Sequence, residues 1–307
     1  MSPARFHGIY AANICPMRDD GAIDEDTLAG HVEDLARVDG LKGLLINGHA
    51  GENFALDRAE SRRVIEIGRA AAVPRSLLVA GVNSENSREA AARASDAEAA
   101  GADAVMVFPP YSWALGHDLR IVLAHHRLIA EATELPLFLF QAAVGAGRMA
   151  YARDVLAALL ELQQVVGIKE GSWETAAYEA SRRLVKAARP EVAVMASGDE
   201  HLFPCFVLGS EGSLVSLAAV IPEPIIALDR AVRAGDLARA QALHATIQPL
   251  ANAIYGRHPG FYATARLKAC LALLGRISLP ACRAPIGRLP RDEIEALERV
   301  LETAGVR

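Results

Sequence analysis

A chain of 307 residues with 52% hydrophobic content can bury two small cores or one large α/β barrel. Its formal charge of −5, with no run of lysines or arginines, excludes the electrostatic footprint of a nucleic-acid binder. Polar residues interrupt every apolar run before membrane-spanning length, the opening MSPARFHGIYAANICPMRDD lacks a basic-then-apolar leader, and Cys15, Cys205, Cys270 and Cys282 stand singly without metal-like spacing, so the expectation is a cytoplasmic protein with no metal site and no membrane partner.

In chain order, short apolar runs recur: GIYAANI (8–14), GLLIN (43–47), LLVAG (77–81), AVMVF (104–108), LFLFQ (137–141), VVGIK (165–169), AVMAS (193–197) and GSLVS (212–216). Their mostly continuous apolar character fits strands covered on both faces, as in parallel sheets. Most intervals carry an amphipathic helical pattern. DEDTLAGHVEDLARVDG opens on acids and stops at glycine, and SREAAARASDAEAAG also ends on glycine. The interval between the seventh and eighth runs holds only GDEHLFPCFVLG. After Ser216 come PEPIIALDRAVRAG, DLARAQALHATIQPLANAIYG, FYATARLKACLALLG and RDEIEALERVLETAG, and no Gly/Ser- or Pro-rich linker divides the chain. Eight strand–helix units predict a (β/α)8 TIM barrel over residues 1–222, with C-terminal helices over 223–307 packed on it as part of a single domain. A doubly wound open sheet is the alternative that periodicity leaves open.

In such a barrel the chemistry collects at the C-terminal ends of the strands, where the βα loops converge. Those ends carry Asn13 and Cys15, the loop Asn47-Gly48-His49-Ala50-Gly51-Glu52, Gly81, Pro109 to Ser112 with Tyr111 between, Gln141, Lys169, Ser197 to Asp199, and Ser216. Leu214 lies just inside the eighth run. Lys169 closes VVGIKE, a core strand that ends in an amine. Low-dielectric walls disfavour its charge, and moving its pKa from about 10.4 to near 7 corresponds to ~4–5 kcal/mol of preference for the neutral form. A neutral lysine amine attacks ketone and aldehyde carbonyls, giving an imine whose protonated nitrogen draws electrons from the adjacent carbon. From local sequence alone, an amine that snorkels to solvent or pairs with Glu170 is the alternative. The two glycines of NGHAGEN let backbone N–H groups approach a carboxylate, or simply serve a tight turn. His49 within that loop is a candidate acid/base or a hydrogen-bonded loop histidine.

A competing motif is Gly145-Ala146-Gly147-Arg148-Met149-Ala150, which matches the dinucleotide fingerprint between a strand and a helix, with Glu170 at the distance of a ribose-binding acid. Against it, Ala142-Ala143-Val144 separates the strand from the first glycine. Phosphate-loop, zinc-protease and nucleophile-elbow motifs have no match. His125, His126 and His201 are isolated on helix-like segments and suit surface or packing roles.

GHAGE after the second run, PPY after the fourth and GIKE at the sixth, with SGD and CRAP further on, together resemble the dihydrodipicolinate synthase / N-acetylneuraminate lyase family. The ordered set runs from about Gly8 to near the C-terminus. The resemblance implies a (β/α)8 barrel with C-terminal helices, usually a homotetramer built as a dimer of dimers. It also implies a sixth-strand lysine that forms a Schiff base with pyruvate or another 2-oxo acid, without a cofactor. Lys169 takes that position. The family's carboxylate-holding G-x-x-G-E loop falls on Gly48 to Glu52, and the tyrosine lent to a neighbouring subunit falls on Tyr111. Three positions depart from the pattern. Phe140 stands where a proton-relaying tyrosine is usual, His49 and Ala50 replace two hydroxyl residues, and Gly145 takes the place of the arginine that binds a second substrate's carboxylate in dihydrodipicolinate synthases.

Matches and departures together predict a cofactor-free lyase that is not a true dihydrodipicolinate synthase. In it Lys169 forms the imine and backbone N–H groups near Gly48, Ala50 and Gly51 hold the carboxylate. His49 and Tyr111 replace the missing relay, Gln141 orients a substrate hydroxyl or carboxylate, and Phe140, Ser197 and Leu214 complete the substrate site. Aldol cleavage or condensation of a 2-oxo-3-deoxy acid ranks first, with dehydration of a 2-oxo-3-deoxy sugar acid through the same imine close behind. A non-catalytic 2-oxo acid binding protein and a nucleotide-dependent oxidoreductase are the readings from other classes.

Overall fold

Each of the eight apolar runs forms a strand in the computed structural model, which describes residues 3–306. The strands are β1 (Gly8–Ala12), β2 (Leu41–Ile46), β3 (Leu77–Val82), β4 (Ala104–Val107), β5 (Leu137–Gln141), β6 (Val165–Glu170), β7 (Ala193–Ala196) and β8 (Gly212–Val215). They pair in parallel in chain order, and β8 returns to β1 to close the barrel. Closure rules out the open sheet.

Helices alternate with the strands: α1 (Glu25–Arg37), α2 (Arg58–Ala71), α3 (Ser87–Ala99), α4 (Leu119–Glu131), α5 (Arg153–Leu159), α6 (Thr175–Ala188), α7 (Leu202–Val207) and α8 (Pro222–Arg233). Their starts follow local chemistry. Asp24, Asn86 and Asp118 accept first-turn N–H groups, and Asp57 forms a reciprocal capping box with Glu60. The helix α7 is short because the interval that holds it is short. Three further helices, α9 (Leu237–Tyr255), α10 (Ala263–Leu273) and α11 (Arg291–Thr303), follow the barrel's eighth helix. The appendage is therefore α9 to α11, with α8 packed on β1 as part of the barrel.

Strand alternation divides the apolar side chains between two cores. Phe6, Tyr10, Met106, Phe138, Met195 and Leu214 fill the barrel interior, while Leu139, Ile168 and Val194 face the surrounding helices. An irregularity in β6 opposite Leu137 and Phe138 resets the alternation, so that Val166 and Lys169 face inward and Ile168 and Glu170 outward. Gly167 is required there, because a Cβ would lie 2.3 Å from the Phe138 ring. The inward face thus presents phenylalanine below and the lysine amine above, toward the C-terminal ends of the strands.

Candidate active site

A cavity of about 330 Å³ opens at the C-terminal ends of the strands. Lys169 enters it from β6, opposite Phe140 of β5 in register, with Nζ 5.6 Å from the centre of the Phe140 ring. Burial lowers the pKa of this amine to about 8, against the opposing pull of the Asp199 carboxylate. At pH 7 such a lysine holds roughly 300 times more neutral amine than an unshifted one. Glu170 points to the other side of the strand, where its carboxylate accepts from Ser172 N–H at 3.2 Å and Ser172 Oγ at 2.9 Å. Alternation along β6 therefore removes Glu170 as a partner for Lys169, and the amine faces the cavity.

The loop after β2 makes a 3-10 turn over His49–Gly51. Asn47 and Glu52, at φ of 56° and 54°, bracket it in the left-handed region. Gly51 N–H donates to Gly48 O at 2.9 Å and Glu52 N–H to His49 O at 3.0 Å, so the turn consumes the Gly51 donor expected to hold a carboxylate. Its first two N–H groups, of His49 and Ala50, are the ones those bonds leave over, as at any helix start. Ala50 and the His49 ring line the cavity, whereas Gly48 and Gly51 act through the backbone of the turn. Glu52 is fully buried beneath the loop, paired with the Lys268 ammonium of α10 and accepting Arg283 N–H at 2.9 Å. The GHAGE and CRAP motifs are thus joined in space. Arg283 also forks onto both Glu60 oxygens.

His49 sits among rings, its centre 4.5 Å from Phe108, 5.4 Å from Phe140 and 6.0 Å from Tyr111. Burial, with Lys169 nearby, lowers its pKa to about 3, so it is a neutral imidazole at neutral pH. Tyr111 lines this chain's own cavity, and burial raises its phenol to about 12. The two rings are stacked face to face at 6.0 Å and share no hydrogen bond, so no direct proton path joins them.

Ser197 lines the cavity, but Gln141 does not. It faces the helix layer, where its amide bonds both the N–H and the carbonyl of Tyr151, so it is placed away from any substrate. Leu214 is wholly packed in the barrel interior below the cavity. The GAGRMA segment forms a 3-10 turn that ends before α5 starts at Arg153, and a Cβ on Gly145 or Gly147 would meet nothing within 4 Å. Without a helix N-terminus behind it or a close approach that needs glycine, the dinucleotide reading has no support in the geometry. The two histidines of α4 are packing residues: His126 bridges Val122 O and the Tyr151 hydroxyl, and His125 bonds Ser87.

Sequence reasoning placed Asp199 and Ser216 on the rim without roles, and missed four aromatic residues entirely. Phe54 and Phe261 pack together at the mouth with ring centres 6.0 Å apart, and Trp173 meets Tyr255 edge to face at 5.5 Å. Trp173 is held at φ 61°, a strained conformation for so bulky a residue. The terminal tyrosine of α9 reads in sequence as a helix end before glycine, and only the docking of α9 on the barrel brings it to the cavity. Ser216 Oγ lies 2.5 Å from the Tyr255 hydroxyl, and the Asp199 carboxylate stands beside that phenol. Asp199 accepts Leu217 N–H at 2.7 Å, and burial raises its pKa to about 6 despite Lys169 opposite.

A sequence profile described as the Dihydrodipicolinate synthetase family matches residues 5–304. The chain is 33% identical to the 4-hydroxy-tetrahydrodipicolinate synthase of Methanothrix thermoacetophila, over 81% of this chain and 82% of the relative. It is 30% identical to the protein of the same name from Methanopyrus kandleri, over 98% and 97%. Among solved structures, the dihydrodipicolinate synthase from Agrobacterium tumefaciens superposes with a TM-score of 0.86 at 28% identity, over 98% of this chain and 99% of that one. YagE, an E. coli prophage protein of the dihydrodipicolinic acid synthase family solved in complex with pyruvate, superposes at 0.90 with 24% identity, over 98% and 99%.

Proposed function

The chain belongs to the dihydrodipicolinate synthetase family, whose members are lyases that work through a pyruvate imine on a lysine without an external cofactor, and on that premise we propose that Lys169 is the imine-forming amine of a pyruvate aldolase. The observation that carries this reading is the inward-facing Lys169, shifted to about 8 and the only cation among the residues lining the cavity. The N–H groups of His49 and Ala50 receive the 2-oxo acid carboxylate at the start of the 3-10 turn. His49 serves as a neutral hydrogen-bonding wall beside the imine rather than as a charged acid.

The reaction proposed is aldol condensation of pyruvate with an aldehyde, and the reverse cleavage of the resulting 2-oxo-3-deoxy acid. The lining supports an aldehyde that carries no second carboxylate. No lining residue other than Lys169 is cationic, Asp199 repels a second anion, and Phe54, Trp173 and Phe261 make the mouth aromatic. This argues against true dihydrodipicolinate synthase activity, whose aldehyde carries a carboxylate. The same reading includes a homotetramer, supported by the family resemblance, and a cytoplasmic setting, supported by four cysteines that are all free. The test is to incubate the protein with pyruvate and a panel of aldehydes and follow 4-hydroxy-2-oxo acid formation by chromatography. Uncharged aldehydes, aromatic ones among them, are expected to react, and preference for aspartate semialdehyde would overturn the substrate assignment.

A further inference from the structure

Phe140 leaves the imine without the phenol that usually moves protons beside it, yet a different phenol stands in the same cavity. Tyr255 reaches it from the C-terminal end of α9, an element outside the barrel. The Asp199 carboxylate stands beside this phenol, and because it can only accept when ionised, it is the Tyr255 O–H that can turn toward it. Ser216 Oγ and the Tyr255 oxygen share a hydrogen bond across 2.5 Å, in which Ser216 donates when Tyr255 turns its own proton to Asp199. Asp199 is fixed in turn by Leu217 N–H at 2.7 Å. Trp173, in its strained left-handed conformation, packs edge to face against the phenol ring. Lys169, Asp199, Ser216 and Tyr255 all open on the same space. We propose that Tyr255, backed by Asp199 and oriented by Ser216, is the acid/base of this active site, taking the part left vacant by Phe140.

The inference rests on Lys169 forming the pyruvate imine. From that iminium, the C3–H bond breaks and its electron pair becomes the enamine double bond, while the iminium pair returns to nitrogen. The proton passes to the Tyr255 oxygen as the proton of Tyr255 moves to the Asp199 carboxylate. When the enamine carbon bonds to the aldehyde carbon, the aldehyde oxygen takes the proton of Tyr255 and Asp199 returns its own. The relay ends as it began, with no co-reactant consumed. Lys169 on β6 and Glu200 beside Asp199 are the charged groups facing the pair, with neutral His49 across the cavity.

Pyruvate alone suffices for the test, because deprotonation at C3 exchanges its methyl hydrogens with solvent. The measurement is proton NMR of the pyruvate methyl in deuterated water, alongside the extent of borohydride-trapped adduct on Lys169. Tyr255→Phe is expected to form the adduct but to exchange 10²–10⁴-fold more slowly, the usual loss for a positioned acid/base. Asp199→Asn is expected to do the same, and wild-type exchange per adduct formed should fall as pH drops below about 6, where the carboxylate takes up its proton. Exchange by Tyr255→Phe within a few-fold of wild type overturns the relay. So does loss of the adduct in both variants, which marks a structural role, or a wild-type adduct that does not exchange. A wild type with no adduct fails at the earlier step, the Schiff base itself.

Discussion

An amine with a pKa near 8 is a nucleophile for part of its time at neutral pH, and a reaction through it carries that pH dependence. Burial depresses Lys169, so the neutral form grows as pH rises through about 8. For turnover of pyruvate, kcat/KM is expected to climb about tenfold per unit below pH 8 and level above it, read from initial rates between pH 6 and 9. A profile flat through that range would contradict the assignment. His49 makes a contrasting prediction. With its pKa near 3 it has no proton to give at pH 7, so His49→Ala is expected to raise KM for pyruvate while lowering methyl exchange by less than about tenfold. A loss of 10²-fold or more would restore His49 as the relay. The lysine was legible because a core strand that ends on an amine poses a burial problem on its face. Tyr255 was not, since nothing in the sequence of α9 separates a site phenol from a helix end.

At the scale of elements, the strands were legible to within a residue or two, because two-sided burial writes itself as continuous apolar runs. Which side each residue faces was harder. The irregularity in β6 turns Val166 and Lys169 inward together, and strict alternation of period two does not reveal it. Gln141 was misplaced for a related reason: it ends its strand, but on the helix side. Gly167 lies at the irregularity, against the Phe138 ring. Gly167→Ala is expected to cost ~1–3 kcal/mol, read as a lower urea midpoint at unchanged slope, with recovery when Phe138→Leu makes room. An unaltered midpoint in the single variant would show that the ring has space to move.

The whole molecule depends on contacts that sequence distance hides. The helix α10, buried from Thr264 to Leu271, carries Arg266 and Lys268 into the core, where neither reads as a core residue. Arg266 meets Glu293 at 2.9 Å and the Arg257 carbonyl at 2.9 Å, while Lys268 pairs with Glu52 and donates to Ala281 O at 2.7 Å. The appendage thereby anchors the loop after β2 through the glutamate that follows its glycines. Lys268→Met leaves a buried carboxylate unpaired and is expected to cost ~3–5 kcal/mol, with much of it regained in the double variant with Glu52→Gln. Equal melting temperatures for wild type and Lys268→Met would refute that coupling. All these arrangements serve one claim, that the amine of Lys169 forms an imine with a 2-oxo acid. The direct measurement is borohydride reduction in the presence of pyruvate followed by peptide mapping by mass spectrometry. A single reduced pyruvate adduct on Lys169, absent from Lys169→Ala, is the predicted result, and no adduct, or one on another lysine, would contradict the account.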